Sequence, residues 1–350
     1  MGFASRPRAG CFGLGLLLVL LGLACGSPSP QRTAAPVVSG PANQGPAAAA
    51  SSAPAVQAVR ITIPTKSITF LPLYYAQDKG IFREEGIDLD PVIMKPPVGI
   101  AALESGDVAY SAAPGVGMRA ALQGAPLRAV MFIQARPSFS LLGQPGVTPE
   151  RIERVAVSGL RATAHYAAMN VMRKLGRGGP DDATYFATNE TAQSYVALTS
   201  RVADAAILTP PYTTMATEAG YTHLGDAFDM QDVQGGLVTT ARRIEERRDE
   251  VRAVLRGILR ALDHLIQNRD AAITYLRQEF ELEPGVAAGS YDIITQVLNR
   301  SGDLDEPALR AVIAQMKEDA ELTADVPLDR VVDLAPLREA QAELSASVKR

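Results

Sequence analysis

Between residues 59 and 219, short apolar segments alternate with helical segments, and glycine or proline stands at most of the junctions. The predicted strands are 59–63, 88–94, 108–112, 127–133, 154–157, 183–186 and 203–208. The predicted helices are 72–79, 99–105, 115–123, 163–175, 191–199 and 211–219. Strand and helix in this strict order predict an α/β fold in which mostly parallel sheets are covered by helices on both faces.

The chain becomes helical in character after Arg243. Apolar residues recur at helical spacing from Val251 to Ile266, which predicts a long helix with one face against a core. The charged run Glu245–Glu250 just before it is predicted to cap that helix and to face solvent.

The N-terminus has the parts of an export signal. Arg6 and Arg8 precede a short apolar run from Phe12 to Leu23, and small residues follow. The run is too short to span a bilayer comfortably. Cys25 directly follows Ala24, so residues 1–24 are predicted to be a lipoprotein signal peptide, with Cys25 as the lipidated residue. Ordinary secretion with cleavage near Ala24 is the alternative.

Residues 25–58 are rich in Ala, Pro, Ser and Gly and lack apolar periodicity, which predicts a disordered linker. The other cysteine, Cys11, lies inside the signal, so the mature chain has no pair for a disulfide and no cysteine metal site. The formal charge of −4 is mildly acidic and argues against a nucleic-acid partner.

Four segments carry a resemblance to a known family. They are Leu73–Asp90, Ala102–Tyr110, Asp204–Tyr212 and Val326–Leu334. In this order they resemble the substrate-binding lipoproteins of ABC importers in the sulfonate, nitrate and thiamine-pyrimidine group. The resemblance covers nearly the whole chain after residue 59.

The resemblance implies a two-lobed periplasmic-binding-protein fold of type II, with a mixed, mostly parallel sheet in each lobe and a helical C-terminal region. Lobe 1 is expected to be discontinuous, at 59–140 and 240–345, and lobe 2 to be the insertion 141–239. The chain is expected to cross between the lobes near 136–143 and 233–241.

Ligands of open parallel sheets bind at the carboxyl ends of the strands. Applied to the predicted strands and to the family phrases, this rule selects eleven ligand-binding candidates: Ser67, Phe70, Tyr74, Ala113, Gly115, Arg161, Thr163, Ala164, Thr188, Thr209 and Tyr212. Each has a structural alternative. Gly115 can serve a turn, Arg161 can be a surface residue, Thr163 can cap a helix and Tyr212 can pack between the lobes.

The predicted function is capture of a small molecule between two lobes and delivery to a membrane permease by a monomeric protein, without cofactor, metal or catalysis. Arg161, Lys66 and helix N-termini suit a sulfonate, a carboxylate or another anion, whereas Phe70, Tyr74 and Tyr212 suit a flat heterocycle such as a pyrimidine or a flavin. Two alternatives remain: an enzyme resembling the synthase of the thiamine pyrimidine, and a ligand sensor for a membrane kinase.

Overall fold

The computed structural model of the chain describes residues 56–179, 181–319, 322 and 326–348. Its strands are β1 Gln57–Ile63, β2 Ile87–Ile93, β3 Tyr110–Ser111, β4 Leu127–Gln134, β5 Ser140–Gly143, β6 Arg154–Val157, β7 Thr184–Ala187, β8 Ala205–Leu208, β9 Thr222–Asp226 and β10 Gly235–Thr240.

The strands form two separate five-stranded sheets. The first has the order β2-β1-β3-β10-β4, and the second has the order β7-β6-β8-β5-β9. In each sheet the central strands are parallel, and the strand that crosses over from the other sheet is antiparallel to its neighbours: β10 in the first sheet and β5 in the second. Both sheets are therefore mixed and mostly parallel at the centre, as predicted.

Helices cover the sheets and make up the whole C-terminal part of the described chain. They are α1 Leu71–Asp78, α2 Ile81–Glu84, α3 Pro96–Ser105, α4 Pro114–Leu122, α5 Thr163–Lys174, α6 Thr191–Thr199, α7 Tyr212–Glu218, α8 Ala241–Glu246, α9 Arg248–Gln267, α10 Arg269–Glu279, α11 Pro284–Ile294, α12 Glu306–Asp319 and α13 Ala335–Val348. None of the described helices combines the length and the apolar character that a membrane span needs.

The strand–helix order agrees with the prediction, with two differences. The strand predicted at 108–112 is reduced to β3, because only Tyr110 and Ser111 pair with β1. The edge strand β9 was not predicted, because its sequence Thr-His-Leu-Gly-Asp has neither an apolar run nor a β-branched alternation. It forms because it pairs with β5, a strand that is distant in the sequence.

The long C-terminal helix faces the core as its apolar periodicity predicted. Val251, Leu255 and Leu262 on α9 are completely buried among the side chains that pack on the first sheet. Gly257 lets α9 approach α2 closely, since a Cβ at this position would lie 2.5 Å from Cδ1 of Phe82. The helix is therefore part of the core and is not a free apolar surface.

The prediction that the charged run Glu245–Glu250 faces solvent is wrong at its last residue. Glu250 is only 6% exposed. Its carboxylate accepts hydrogen bonds from Tyr110 Oη at 2.9 Å and from Arg243 Nε at 2.8 Å. A single buried carboxylate in the first turn of α9 thus ties β3 and α8 to that helix, and burial beside it raises the pKa of Tyr110.

The chain passes between the sheets twice, at neighbouring positions of the first sheet. It leaves after Gln134, the last residue of β4, and it returns at Gly235, the first residue of β10, which pairs with Gln134. The segments 136–143 and 233–241 therefore contain β5 and β10, the two strands that cross over. The lobe limits 59–140, 240–345 and 141–239 remain predictions, and this division of strands supports them.

Candidate functional site

Several described residues have a buried polar side chain without a hydrogen-bond partner, and three of them lie close to the ends of β4, β5 and β8. The side-chain oxygen and nitrogen of Gln134 and the hydroxyls of Ser138 and Thr213 are enclosed and unpartnered. The three residues are 0%, 1% and 2% exposed, respectively. We call these three residues the crossing cluster.

The fold places the crossing cluster at the carboxyl edges of both sheets. Gln134 is the last residue of β4, a strand that runs parallel to the central strands of the first sheet. Ser138 lies two residues before Ser140, the first residue of β5. Ser140 pairs with Leu208 at the carboxyl end of β8. Thr213 follows β8 in the first turn of α7, and its backbone N–H donates to Thr209 O at 3.2 Å.

The loop that follows β1 also reaches this edge of the first sheet. A Cβ on Gly235 would lie 3.3 Å from Cγ2 of Thr69, so the loop packs directly against the returning strand. Ser67 in the same loop caps a short 3₁₀ helix, and its Oγ accepts from Thr69 N at 3.3 Å. This predicted ligand residue therefore lies near the crossing, and its capping bond is weak.

An unpartnered polar group in the protein interior costs about 1–3 kcal/mol. The carboxamide of Gln134 offers both a donor and an acceptor, and the two hydroxyls each offer both roles. A ligand or ordered water that reached these groups would supply the hydrogen-bond partners that they lack. The crossing cluster is therefore a candidate for neutral hydrogen bonds to a small polar molecule.

The predicted aromatic residues of the first lobe are in the core. Phe70 is 4% and Tyr74 is 9% exposed. Tyr74 Oη donates to Thr65 O at 3.4 Å, and its ring meets Phe280 edge-on with 6.3 Å between centroids. Burial, with a smaller effect of Glu279, raises the pKa of Tyr74 to about 12. These rings have little surface left for stacking on a ligand.

Ala113 and Gly115 lie at the start of α4. Ala113 is the N-cap residue and is buried. A Cβ on Gly115 would lie 3.2 Å from Val233 O and 3.8 Å from Cε of Met316. Gly115 therefore allows the first turn of α4 to pack against the returning segment and against α12.

The loop before α5 holds three further candidates. Arg161 is exposed and has a left-handed backbone with φ of 55°. Its backbone N–H donates to Nδ1 of His165 at 3.1 Å, and burial lowers the pKa of that histidine. Ala164 is buried in the core of the second sheet.

The interpretation of Thr163 as a helix cap is wrong. Thr163 is the first helical residue of α5, and the N-cap position belongs to Ala162, whose backbone is extended. The loop turns at Arg161, which has a left-handed backbone, and the helix therefore has its N-cap at Ala162, one residue before Thr163. Ala162 has no side-chain oxygen, so α5 begins without a side-chain cap.

The remaining candidates follow β7 and β8. Thr188 Oγ1 lies 2.6 Å from Ser194 Oγ and donates to Val157 O at 3.1 Å, so its hydroxyl is already occupied. Thr209 is half-buried, and Tyr212 packs on Tyr195 with 5.6 Å between ring centroids. Burial and the nearby charge of Glu190 raise the pKa of Tyr212.

Three helices begin near these loops without a side-chain cap. The helices α4, α5 and α6 have no capping hydrogen bond from their N-cap side chains, and none has an acidic residue in its first turn. Their first-turn N–H groups and their dipoles favour an anion. Within the described ranges, no group of three or more His, Cys, Asp or Glu residues is placed to hold a metal ion.

None of the three residues of the crossing cluster is among the predicted ligand residues. One signal was available: Gln134 is a polar residue at the end of the otherwise apolar run from Ala129 to Ile133. Ser138 and Thr213 had no such signal, because serine and threonine in loops and helix starts usually serve turns and caps.

Comparisons with known proteins agree with this architecture. A family model described as NMT1/THI5 like matches residues 67–272. A search of curated proteins finds no match. Many solved structures are similar to the chain over most of its length.

Three of the similar structures show the extent of the likeness. The alkanesulfonate-binding protein SsuA from Xanthomonas axonopodis pv. citri, bound to MOPS, is 20% identical with a TM-score of 0.61, and the match covers 80% of this chain and 97% of SsuA. A ligand-binding component of an ABC-type import system from Staphylococcus aureus, with zinc bound, is 15% identical with a TM-score of 0.62 and coverages of 81% and 99%. A protein from Bordetella bronchiseptica RB50 is 18% identical with a TM-score of 0.63 and coverages of 82% and 98%.

These likenesses confirm the predicted fold class. Two mixed sheets flanked by helices, with a helical C-terminal region, form the periplasmic-binding-protein architecture of the matched structures.

Proposed function

The chain belongs to the NMT1/THI5-like family, and on this premise we propose that it is the extracytoplasmic solute-binding component of an ABC importer. In this role it captures a small organic or anionic molecule between two lobes and delivers it to a membrane permease. The similar proteins from Xanthomonas and Staphylococcus are named as sulfonate-binding and ABC-import ligand-binding proteins, which supports the proposal.

The observation that carries the proposal is the crossing cluster. Gln134, Ser138 and Thr213 are buried polar residues without partners. Gln134 and Ser138 lie where the chain leaves the first sheet, and Thr213 lies in the first turn of α7, after β8 of the second sheet. A ligand that contacted both Gln134 of the first sheet and Thr213 beside the second sheet would stabilise one relative position of the sheets. A permease that binds that arrangement would distinguish loaded from empty protein.

Two ligand chemistries fit this site. The uncapped starts of α4, α5 and α6, together with exposed Arg161, favour a sulfonate or a nitrate-like anion. The neutral donors and acceptors of the crossing cluster equally suit the ring nitrogen and carbonyl of a pyrimidine or a similar heterocycle. The burial of Phe70 and Tyr74 weakens the argument for aromatic stacking in the first lobe.

Export and lipid anchoring belong to the same proposal. The signal at 1–24, Cys25 and residues 25–55 of the predicted linker lie outside the described residues. The predicted end of the linker at 58 is wrong, because Gln57 and Ala58 already belong to β1 and pair with β2. Cys25→Ala should release the protein from membranes or block its processing. Membrane fractionation tests this, and a mature Cys25→Ala protein that stays with membranes like the wild type contradicts the anchor.

An enzymatic role has weaker support from the side chains. The chain has three histidines, and each has a hydrogen-bond partner outside the crossing cluster. His165 accepts from Arg161 N, His223 pairs with Asp226, and His264 pairs with Tyr75. A sensor for a membrane kinase would use the same binding event, and genes for a permease or a kinase beside this one would distinguish the two roles.

A ligand screen tests the proposal. Purified protein is heated with sulfonates, nitrate, pyrimidines and flavins, because a ligand at a hundredfold over its Kd stabilises the folded state by about 2.7 kcal/mol. Mass spectrometry then compares the ligand before and after incubation. Binding without chemical change supports the binding role, and turnover of the ligand contradicts it.

A further inference from the structure

A polar cavity lies along the side of α5, and Thr163, one of the predicted ligand residues, is in its lining. It has a volume of about 440 Å³, within the range of small-molecule sites. Its walls are α4, α5, the segment 230–232 and α12. None of Gln134, Ser138 and Thr213 is among the residues that line it.

Elements of both sheets meet at this cavity, and a C-terminal helix closes it. The helix α4 packs on the first sheet, and α5 packs on the second. Thr163, Tyr166, Asn170 and Arg173 face the cavity from α5, with a spacing that places them on one side of the helix. From the opposite side α12 contributes Met316, which also approaches the start of α4 at Gly115.

The charges around the cavity favour an anion. Arg119 and Arg173 line it, and Asp232 is the one carboxylate in its lining. Arg173 projects from the last turn of α5 and is exposed, so its guanidinium can turn to meet a ligand. An arginine presents a planar pair of donors that matches a carboxylate or a sulfonate.

The remaining walls favour an apolar body with a hydrogen-bond donor. Met169, Met230 and Met316 contribute flexible, polarisable side chains that adapt to irregular shapes. Asn170 Oδ1 is enclosed and has no hydrogen-bond partner. An N–H or O–H group of a ligand would donate to this oxygen. A bare inorganic anion such as nitrate supplies neither the donor nor the apolar contact.

We propose that this cavity binds an amphiphilic organic anion, with its acid group at Arg173, its apolar body against the methionines and an N–H or O–H donor at Asn170. The site is additional to the crossing cluster. Because its walls come from both sheets and from α12, its occupant holds these three parts together.

Titration with 1-anilinonaphthalene-8-sulfonate tests this proposal, because the dye has a sulfonate, an apolar body and an N–H group, and it fluoresces when it leaves water. We expect saturable binding of one dye per folded protein. Arg173→Gln should weaken dye binding by about tenfold through loss of a charge-assisted contact. Ala311→Trp should abolish binding, since Ala311 is an exposed residue of α12 that lines the cavity and the indole would fill it.

Arg151→Gln is the matched control, because Arg151 is an exposed arginine of the same sheet region outside the cavity lining. It should bind the dye like the wild type. Melting temperatures of all variants must match, which shows that the dye reports on folded protein. Equal dye affinity in wild type, Arg173→Gln and Ala311→Trp overturns the proposal.

Gln134→Leu separates this proposal from the proposed function. It should abolish binding of the ligand found by the thermal screen and leave dye binding unchanged. If the screen yields no ligand while the dye results hold, the second site stands and the proposed function fails. If Gln134→Leu removes dye binding, the dye occupies the crossing cluster and the second site is refuted.

Discussion

Thr214 Oγ1 lies 3.3 Å from Ser290 Oγ in a buried contact that joins α7 to α11. The helix α7 follows the second sheet, and α11 belongs to the helical C-terminal region that packs with the first sheet. The two helices approach closely because α11 has glycines at positions 285 and 289. Since α7 begins beside Thr213 of the crossing cluster, this contact connects the candidate ligand edge to the C-terminal helices.

Gly289→Ala should destabilise the protein by about 1–3 kcal/mol, as overpacking does. Its Cβ would lie 2.5 Å from Cγ2 of Thr214, a buried β-branched side chain that cannot move aside. Gly285→Ala is the control: its Cβ would meet the carboxylate end of exposed Glu218, which is free to turn away. Urea unfolding of both variants checks this, and equal losses contradict the packing argument.

Gln134→Leu should stabilise the ligand-free protein by about 1–3 kcal/mol, because it removes two buried groups that have no partner. The same change at Gln144 should have the opposite effect. Gln144 Nε2 donates to Leu198 O at 2.6 Å and to Ala203 O at 3.0 Å, so Gln144→Leu breaks satisfied bonds. Chemical denaturation without ligand compares the two. A loss of stability in Gln134→Leu would show that the amide has partners in solution.

Glu85→Gln should cost about 1.5–3 kcal/mol of folding free energy, the range for hydrogen bonds to charged groups. Its carboxylate, with a side chain 12% exposed, bridges Arg256 Nε at 2.6 Å and Arg260 Nη1 at 2.9 Å. Neighbouring Glu84 also pairs with Arg260 but is 60% exposed, so Glu84→Gln should cost under about 1 kcal/mol. Thermal unfolding at low and high salt compares the stability losses of the two variants. A loss for Glu84→Gln that equals or exceeds the loss for Glu85→Gln would contradict the greater contribution of the buried carboxylate.

Two histidines near the second sheet should give opposite pH dependences. A hydrogen bond with Asp226 raises the pKa of His223 above 6.5, so its contribution to stability is present at low pH and is lost as the pH rises through the raised value. Burial lowers the pKa of His165, so its contribution is present above 6.5 and is lost as the pH falls through the lowered value.

His223→Gln should therefore reduce stability mainly at acidic pH, and His165→Gln mainly at neutral pH. Denaturation midpoints between about pH 5 and 8 check both variants, over the range where histidine changes charge. Parallel pH profiles for the two variants would contradict the opposite signs.

Arg161→Ala should weaken an anionic ligand by about ten- to a hundredfold if Arg161 faces the ligand, since a charge-assisted hydrogen bond contributes about 1.5–3 kcal/mol. Arg161→Lys should recover part of this loss, because lysine lacks the planar donor pair. Arg201→Ala is a close control: Arg201 is also an exposed arginine with left-handed backbone, with φ of 60° against 55°. Calorimetric titration measures all three. Equal affinities of Arg161→Ala and Arg201→Ala would place Arg161 outside the site.

Most of the fold was predictable because its signals are local. Apolar periodicity and the stops at glycine located nearly every strand and helix between β1 and α7, and they located the apolar face of α9. The exceptions depend on partners far away in sequence. β9 exists because β5 is beside it, and Glu250 is buried because Tyr110 and Arg243 supply hydrogen bonds to it.

The candidate site was less predictable for the same reason. The rule of strand ends selects loops at the carboxyl ends of the strands, but it could not show which side chains point into the core. Phe70 and Ala164 were selected by this rule and are buried among apolar neighbours. Conversely, the lack of a partner for Ser138 or Thr213 is a property of the whole folded environment, which no short sequence pattern records.

The pairing of Gln134 with Gly235 has a consequence for re-engineering the chain. Because β4 and β10 are antiparallel neighbours, the intervening segment departs and returns one strand spacing apart, about 5 Å. If that segment were excised and replaced by a two-residue Asn-Gly turn, β4 and β10 would become an ordinary hairpin. The first sheet would then keep its strand order as a shorter, self-contained chain, and the second sheet could be exchanged for that of a relative to transplant ligand preference.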